Sequence, residues 1–120
     1  MTPSEQYAEA MRLSRLIDAA IEAMKNTTVE YAQREADYRK AKSEAWLRCP
    51  PGDKQEWTAA RREAWVDAET ADDRYHRDLA EGMRQSAIEA VRSRRAQLSA
   101  IQTFVNAERA EAEFARTGVA

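Results

Sequence analysis

The chain contains few helix breakers, only two phenylalanines and a single cysteine. Its 120 residues include three glycines, three prolines, two phenylalanines and one cysteine. So little glycine and proline argues against a fold built from many turns, and the shortage of large apolar side chains excludes a thick globular core. Cys49 has no second cysteine to pair with, which excludes an internal disulfide and gives no sign of an oxidising compartment.

The chain also lacks a long apolar run and a large net charge of either sign. The longest uncharged stretch, AQLSAIQTFVNA at residues 96–107, has twelve residues, whereas a membrane helix needs about 20 apolar ones. The opening, MTPSEQYAEA, lacks the basic and apolar parts of a signal peptide. A net charge of −2 argues neither for a nucleic-acid coat nor for an acidic tail. We therefore expect a soluble, cytoplasmic protein with no membrane partner.

What the chain does contain is abundant alanine, glutamate, arginine, lysine and leucine, a composition typical of long helices and coiled coils. Helix breakers follow one another at a single place, CPPGD at residues 49–53. This pattern predicts an all-α protein of one domain, with a helix at about 4–48, a break at 49–53, a second arm at about 54–116 and a tail at 117–120.

The first arm has an apolar heptad pattern, which predicts one strand of an antiparallel coiled coil within a long helical hairpin. Residues seven apart form the main series: Ala10, Ile17, Met24, Tyr31, Tyr38 and Ala45. Leu13, Ala20 and Ala41 occupy positions three residues further on, where Thr27 and Arg34 are the weak points.

The second arm has a less regular apolar face, whose spacing shifts by one residue near Gly82 and predicts a kink or a change of supercoil there. Trp65, Ala68, Tyr75 and Leu79 precede the shift, and Met83, Ala87, Val91, Leu98, Ile101 and Val105 follow it. The arm has two candidate starts. One is the capping box Asp53–Glu56, and the other is Thr58 as N-cap, with Trp57 just outside the helix.

The lengths of the arms constrain the hairpin. A tight turn at 49–53 would place residue 98 beside residue 4, so that Ile101, Phe104, Val105 and Phe114 would extend beyond the first arm. Either a short third helix near 55–65, with a break between Ala64 and Thr70, lets residues 67–116 lie along the first arm, or the extension packs on another chain. We predict that the Leu98, Ile101 and Val105 face is buried and that Phe104 lies at a contact with a partner, most simply in a homodimer.

Basic residues in the second arm are candidates for nucleic-acid contact. Arg84, Arg92 and Arg95 share one flank of the predicted helix, whereas Arg94 points toward the apolar seam. A phosphate-binding stripe is one interpretation. The alternative is a solvated face, and the negative net charge and the absence of interleaved aromatic residues favour it.

No pattern in the chain predicts catalysis. HRDL at residues 76–79 copies the start of a kinase catalytic loop, but the chain is too short for a kinase, and Met83 stands where asparagine should follow. Asp72 and His76 are one helical turn apart, more consistent with a surface ion pair than with a metal site. Cys49 lacks a positioned base. We expect no enzymatic activity, no metal and no cofactor.

Three tryptophans, Trp46, Trp57 and Trp65, flank the break. They could form a ligand platform, but residues of this kind more often cover the end of a helical bundle.

Three segments together resemble a group of small helical proteins encoded by phages and prophages, particularly those of actinobacteria. The segments are ADYRKAKSEAWL (36–47), TAARREAWVDAETADDRY (58–75) and RSRRAQLSAIQTFVNAERAEAEFARTG (92–118), and the resemblance covers about residues 31–118. In that group the second segment opens with Thr-x-x-Glu. Here Arg61 replaces the glutamate, which favours the Asp53 start.

The resemblance implies an accessory role beside recombination, replication or single-strand DNA handling, or interference with a host protein. It implies no catalytic residues. Two hypotheses follow: a helical protein-interaction module that modulates a host or phage protein, and a nucleic-acid-binding accessory protein that uses Arg84, Arg92 and Arg95.

Overall fold

The computed structural model describes residues 2–52 and 56–118, which form three helices and no strand. These are α1 (Pro3–Arg48), α2 (Ala59–Glu69) and α3 (Ala71–Thr117). The described residues are 91% helical, and the fold is an all-α helical hairpin. The prediction of an all-α hairpin with two long helices and a short one is therefore confirmed.

The start of α1 is fixed by a reciprocal pair of hydrogen bonds at Thr2 and Glu5. The Glu5 backbone N–H donates to Thr2 Oγ1 at 3.1 Å, and the Thr2 backbone N–H donates to Glu5 Oε2 at 3.1 Å. This capping box satisfies two donors that a helix start leaves unpaired, and Pro3 fits the first helical position because its missing N–H has no partner to lose there. The helix consequently begins at Pro3, one residue before the predicted start.

The second arm starts at Thr58, not at Asp53. Thr58 has an extended backbone, and its Oγ1 accepts the Arg61 backbone N–H at 3.2 Å. Arg61 cannot return a bond as glutamate would, and its side chain instead donates to the Glu56 carbonyl at 2.7 Å. The predicted helix from about 54 is wrong, since residues 56–58 are not helical. Asp53 itself lies outside the described residues.

Thr70 separates α2 from α3. Its φ of −107° and ψ of 10° leave the helical region, and its Oγ1 donates to the Val66 carbonyl at 2.8 Å. Such a bond from a β-branched residue competes with the helical backbone bond and bends a helix. The Thr70 N–H nevertheless donates to Val66 and the Arg74 N–H to Thr70, both at 3.0 Å. The interruption is one residue long and falls at the end of the predicted 64–70 window.

The chain divides into two compact units, and the single domain stays a prediction. One consists of Met1–Met24 with Ala87–Ala120, and the other of Lys25–Ser86. In the first unit Gln6 Nε2 donates to Glu108. In the second, Arg77 contacts Tyr38 and Arg84 contacts Tyr31. The α1 and α3 segments are therefore antiparallel in each unit.

These contacts show how the two long helices are aligned. Because α2 takes up residues 59–69, α3 lies about one dozen residues further along α1 than a tight hairpin would place it. Ile101 and Val105 consequently line a groove with Gln6 and Ala10. The alternative in which a short helix lets α3 lie along the first arm is the one observed.

The core of the first unit centres on Leu13 and Val91, which are 1% and 5% exposed. In the second unit Ala45, Cys49 and Val66 form a buried cluster at the chain reversal. The partly buried Trp46, Trp57 and Trp65 pack against that cluster. The tryptophans thus cover the end of the helical bundle, as the more common interpretation of their position predicted.

The predicted seam of α1 is confirmed, whereas that of α3 is wrong in its first half. Every predicted seam position of α1 from Ala10 to Ala45 is buried or half-buried. In α3, however, Tyr75, Leu79 and Met83 are 63%, 50% and 56% exposed, and the helix is continuous through Gly82 with no interruption. Most of the residues that face inward form a series spaced alternately three and four apart: Asp73, Arg77, Ala80, Arg84, Ala87, Val91, Arg94, Leu98, Ile101 and Val105. Glu81 and Ile88 are half-buried beside this series.

Candidate interaction surface

Arginines take the place of apolar residues on the inward face of α3. Arg77 lies over the ring of Tyr38 at 4.4 Å, and its Nε is 3.6 Å from Glu35 Oε2. It also donates to Asp78 at 2.9 Å, and this hydrogen bond, with Asp78 and Glu35 nearby, raises the pKa of Arg77 above its ordinary value. The planar guanidinium stacks on an aromatic face and the aliphatic stem packs beneath it. The inward face therefore needs no shift of spacing at Gly82.

Arg84, a predicted nucleic-acid contact, is held in the same way. Its guanidinium lies 5.6 Å from the ring centre of Tyr31, and its side chain forms an ion pair with Glu81 at 3.1 Å. Only 30% of the side chain is exposed. Arg84 therefore stabilises the second unit and offers little positive charge to a ligand.

Arg92 and Arg95, the other predicted nucleic-acid contacts, lie on α3 within the first unit, and both are exposed. Arg92 forms an ion pair with Glu89 at 2.7 Å. No described residue pairs with Arg95. Two exposed arginines, one of them beside a carboxylate, form a small basic patch, and its contact with nucleic acid stays a prediction.

The uncharged run at residues 96–107 has an inner and an outer side. Leu98, Ile101 and Val105 are half-buried in the first unit. Ile101 and Val105 line an open groove of about 570 Å³ together with Gln6 and Ala10 of α1. Phe104 points elsewhere and is 50% exposed. The predicted separation of the two sides is present, and the assignment of Phe104 to a partner contact stays a prediction.

A second heptad series runs along the exposed side of α3. We call it the outer stripe. Its members are spaced alternately four and three apart, carry no charge and are all exposed: Leu79, Met83, Ser86, Ala90, Ser93, Gln97, Ala100 and Phe104. Its bulky members, Leu79, Met83 and Phe104, are each at least half exposed. A charge-free face is unexpected in a chain of which 33% of residues are charged.

Sequence reasoning assigned Leu79 and Met83 to the inner seam because they are the most hydrophobic residues in that part of α3. The heptad spacing from Leu79 to Phe104 was present in the sequence and could have identified the outer stripe. The inward face of α3 could not be identified from sequence alone. Its arginines pack on the rings of Tyr31 and Tyr38, which are distant in the sequence.

The residues considered for metal binding or catalysis are not brought together. Among residues 2–52 and 56–118, no group of three or more His, Cys, Asp or Glu side chains could hold a metal ion. The His76 ring packs edge-on against Tyr75 at 5.5 Å. Cys49 is a buried free thiol, whose Sγ lies 4.0 Å from the Arg62 carbonyl oxygen. None of the described helices has the length and apolar character to cross a membrane.

No family model matches the chain, and neither a curated protein nor a solved structure matches it.

Proposed function

We propose that this chain is a non-enzymatic helical protein-interaction module. The observation that carries the proposal is the outer stripe, an exposed face of α3 about 39 Å long on which no residue is charged. Burying a charged side chain at an interface is costly, and interface centres are accordingly depleted of charge and enriched in aromatic residues and methionine. The outer stripe shares the lack of charge and exposes Phe104 and Met83, one aromatic residue and one methionine.

The proposed partners are a second copy of the chain and a host or phage protein of DNA metabolism. The outer stripe supports association with a protein. The assignment to a phage or prophage, and hence to a role in the host cytoplasm, rests on the resemblance of residues 36–47, 58–75 and 92–118 to small phage helical proteins.

The experiment is a comparison of three immobilised proteins in host extract: wild type, Phe104→Glu and Val29→Glu. Val29 is a matched control because it is an exposed apolar residue, 71% accessible, on α1. We expect a protein that wild type and Val29→Glu retain and Phe104→Glu does not. Equal retention of every protein by all three variants would contradict a partner site at Phe104.

A nucleic-acid accessory protein is the second candidate. The observation that favours it is the exposed Arg95, with no ion-pair partner among the described residues, three positions from the exposed Arg92. The pairing of Arg84 with Glu81 and of Arg92 with Glu89 counts against it. Binding of single- or double-stranded DNA that weakens steeply with salt, and that Arg92→Ala/Arg95→Ala reduces, would establish this candidate.

A further inference from the structure

We propose that the outer stripe binds the outer stripe of a second copy, with the two α3 helices antiparallel and a two-fold axis between Ala90 and Ser93. This inference rests on the proposed interaction function and specifies one of its partners. A symmetric interface has to be complementary to itself, so the order of side chains along the stripe decides whether a copy can pair with it, and in which direction.

The order of large and small residues fits antiparallel pairing. With the axis between Ala90 and Ser93, Leu79 of one copy lies opposite Phe104 of the other, and Met83 opposite Ala100. The small residues Ser86, Ala90 and Ser93 occupy the middle, where they let the helices approach closely. In a parallel pair each residue would face itself, leaving Ala100 opposite Ala100 beside the bulky Phe104 pair.

The charges beside the stripe favour the same arrangement. Glu89 and Arg92 form an ion pair within one chain at 2.7 Å, and their side chains are 65% and 71% exposed. They lie on either side of the proposed axis, so antiparallel copies bring Glu89 of each chain near Arg92 of the other. These two cross-chain pairs make the surface beside the axis complementary to itself, as a symmetric interface requires.

The ends of the stripe set the length of the interface. Beyond Leu79 and Phe104 the series continues through the exposed, uncharged His76 and Ala107 to Asp72 and Glu111. In the proposed register Asp72 of each copy lies opposite Glu111 of the other, and these like charges limit the uncharged contact to residues 76–107. A slide of one heptad would place Glu111 opposite Leu79 or Asp72 opposite Phe104, which disfavours those registers.

Disulfide formation between two cysteine variants tests the register. Met83→Cys and Ala100→Cys are made separately, each in a Cys49→Ser background, and one of them carries a mass tag. We expect a tagged–untagged disulfide dimer after mixing and mild oxidation, and little from either variant alone. A disulfide formed by Met83→Cys alone would show parallel pairing and overturn the proposal. If Cys49→Ser does not fold, the natural Cys49 can be kept, because that thiol is only 7% exposed.

Sedimentation provides the independent measurement. Phe104→Glu and Leu79→Glu should each raise the dimer dissociation constant at least about 100-fold, since either change places a charge in the pairing face of both copies. Val29→Glu should leave it unchanged, and all three should keep the wild-type circular dichroism spectrum. Wild type that sediments as a monomer at high micromolar concentration would overturn self-pairing. The proposed function would then still stand if an extract protein bound wild type but not Phe104→Glu, and would fail if none did.

Discussion

The guanidinium of Arg77 on α3 lies 4.4 Å from the ring centre of Tyr38 on α1. Tyr38 is 8% exposed, and the Arg77 side chain is 25% exposed. Glu35 Oε2, which is buried and accepts no hydrogen bond from any described residue, has the Arg77 Nε at 3.6 Å. A positive charge, an aromatic face and a carboxylate thus share the inward side of the second unit.

Arg77→Ala should lower the free energy of unfolding by about 2 kcal/mol, because it removes the cation–π contact and the packing of the arginine stem. It also removes the cation beside Glu35 Oε2, although Arg39 still pairs with Glu35 Oε1 at 2.9 Å. Arg116→Ala is the matched control, since the Arg116 side chain is 74% exposed and pairs with Glu113 on the same helix. It should change the unfolding free energy by less than about 0.5 kcal/mol. Urea denaturation measures both, and equal effects would contradict a stabilising role for the Arg77–Tyr38 contact.

The seam of α1 could be predicted from sequence because an apolar or aromatic residue recurs at one heptad position from Ala10 to Ala45. The seam of α3 could not, because arginine or aspartate occupies four of its positions, whereas the more hydrophobic Leu79 and Met83 face outward. Whether an arginine lies inside a bundle depends on what it meets there. The rings of Tyr31 and Tyr38 meet Arg84 and Arg77 only in the alignment that α2 imposes.

The candidate interaction surface could likewise be predicted only in part. The offset of Phe104 from Ile101 and Val105 is a property of the helix itself, so the division of the 96–107 run into two sides followed from spacing. The contact of Arg84 with Tyr31 joins residues far apart in the sequence, so heptad spacing within α3 did not predict it. The choice between Thr58 and Asp53 was also wrong, because the Thr58 hydroxyl caps the helix without a glutamate at position 61.

Leu13→Ala should destabilise the protein by about 3 kcal/mol, because Leu13 is 1% exposed and its loss leaves a cavity in the first unit. Leu47→Ala is the control in the same helix, since Leu47 is 86% exposed. It should have an effect below about 0.5 kcal/mol. Thermal and urea unfolding followed by circular dichroism provide the comparison, and a similar loss for both variants would contradict the inward placement of Leu13.

Thr58→Ala should cost about 1 kcal/mol, because the Arg61 backbone N–H loses its acceptor at the start of α2. Thr103→Ala is the control: Thr103 is exposed within α3, where its hydroxyl donates to the Ser99 carbonyl, and alanine is the better helix former there. Tryptophan fluorescence reports on α2 through Trp57 and Trp65. A Thr58→Ala variant as stable as wild type would place the start of the helix elsewhere.

Gly82→Ala should stabilise the protein by about 0.5–1 kcal/mol, since alanine is the better helix former and a methyl group there would meet nothing within 4 Å. Gly118→Ala should not stabilise it, because Gly118 has a φ of 65° that suits glycine. Both are best measured with Phe104→Glu present, so that self-association does not contribute. A loss of stability in Gly82→Ala would indicate a kink or a close contact at that position.

Neither Cys49 nor His76 should be required for partner binding. The Cys49 thiol is buried against Ala45 and Val66, so Cys49→Ala removes packing but no reactive group that a ligand could reach. His76 is exposed, and its ring packs edge-on against Tyr75. Cys49→Ala and His76→Ala should therefore bind the partner within about twofold of wild type, a difference of only about 0.4 kcal/mol. A variant that lost binding while keeping the wild-type melting temperature would show that its side chain belongs to the partner contact, and this prediction would be wrong.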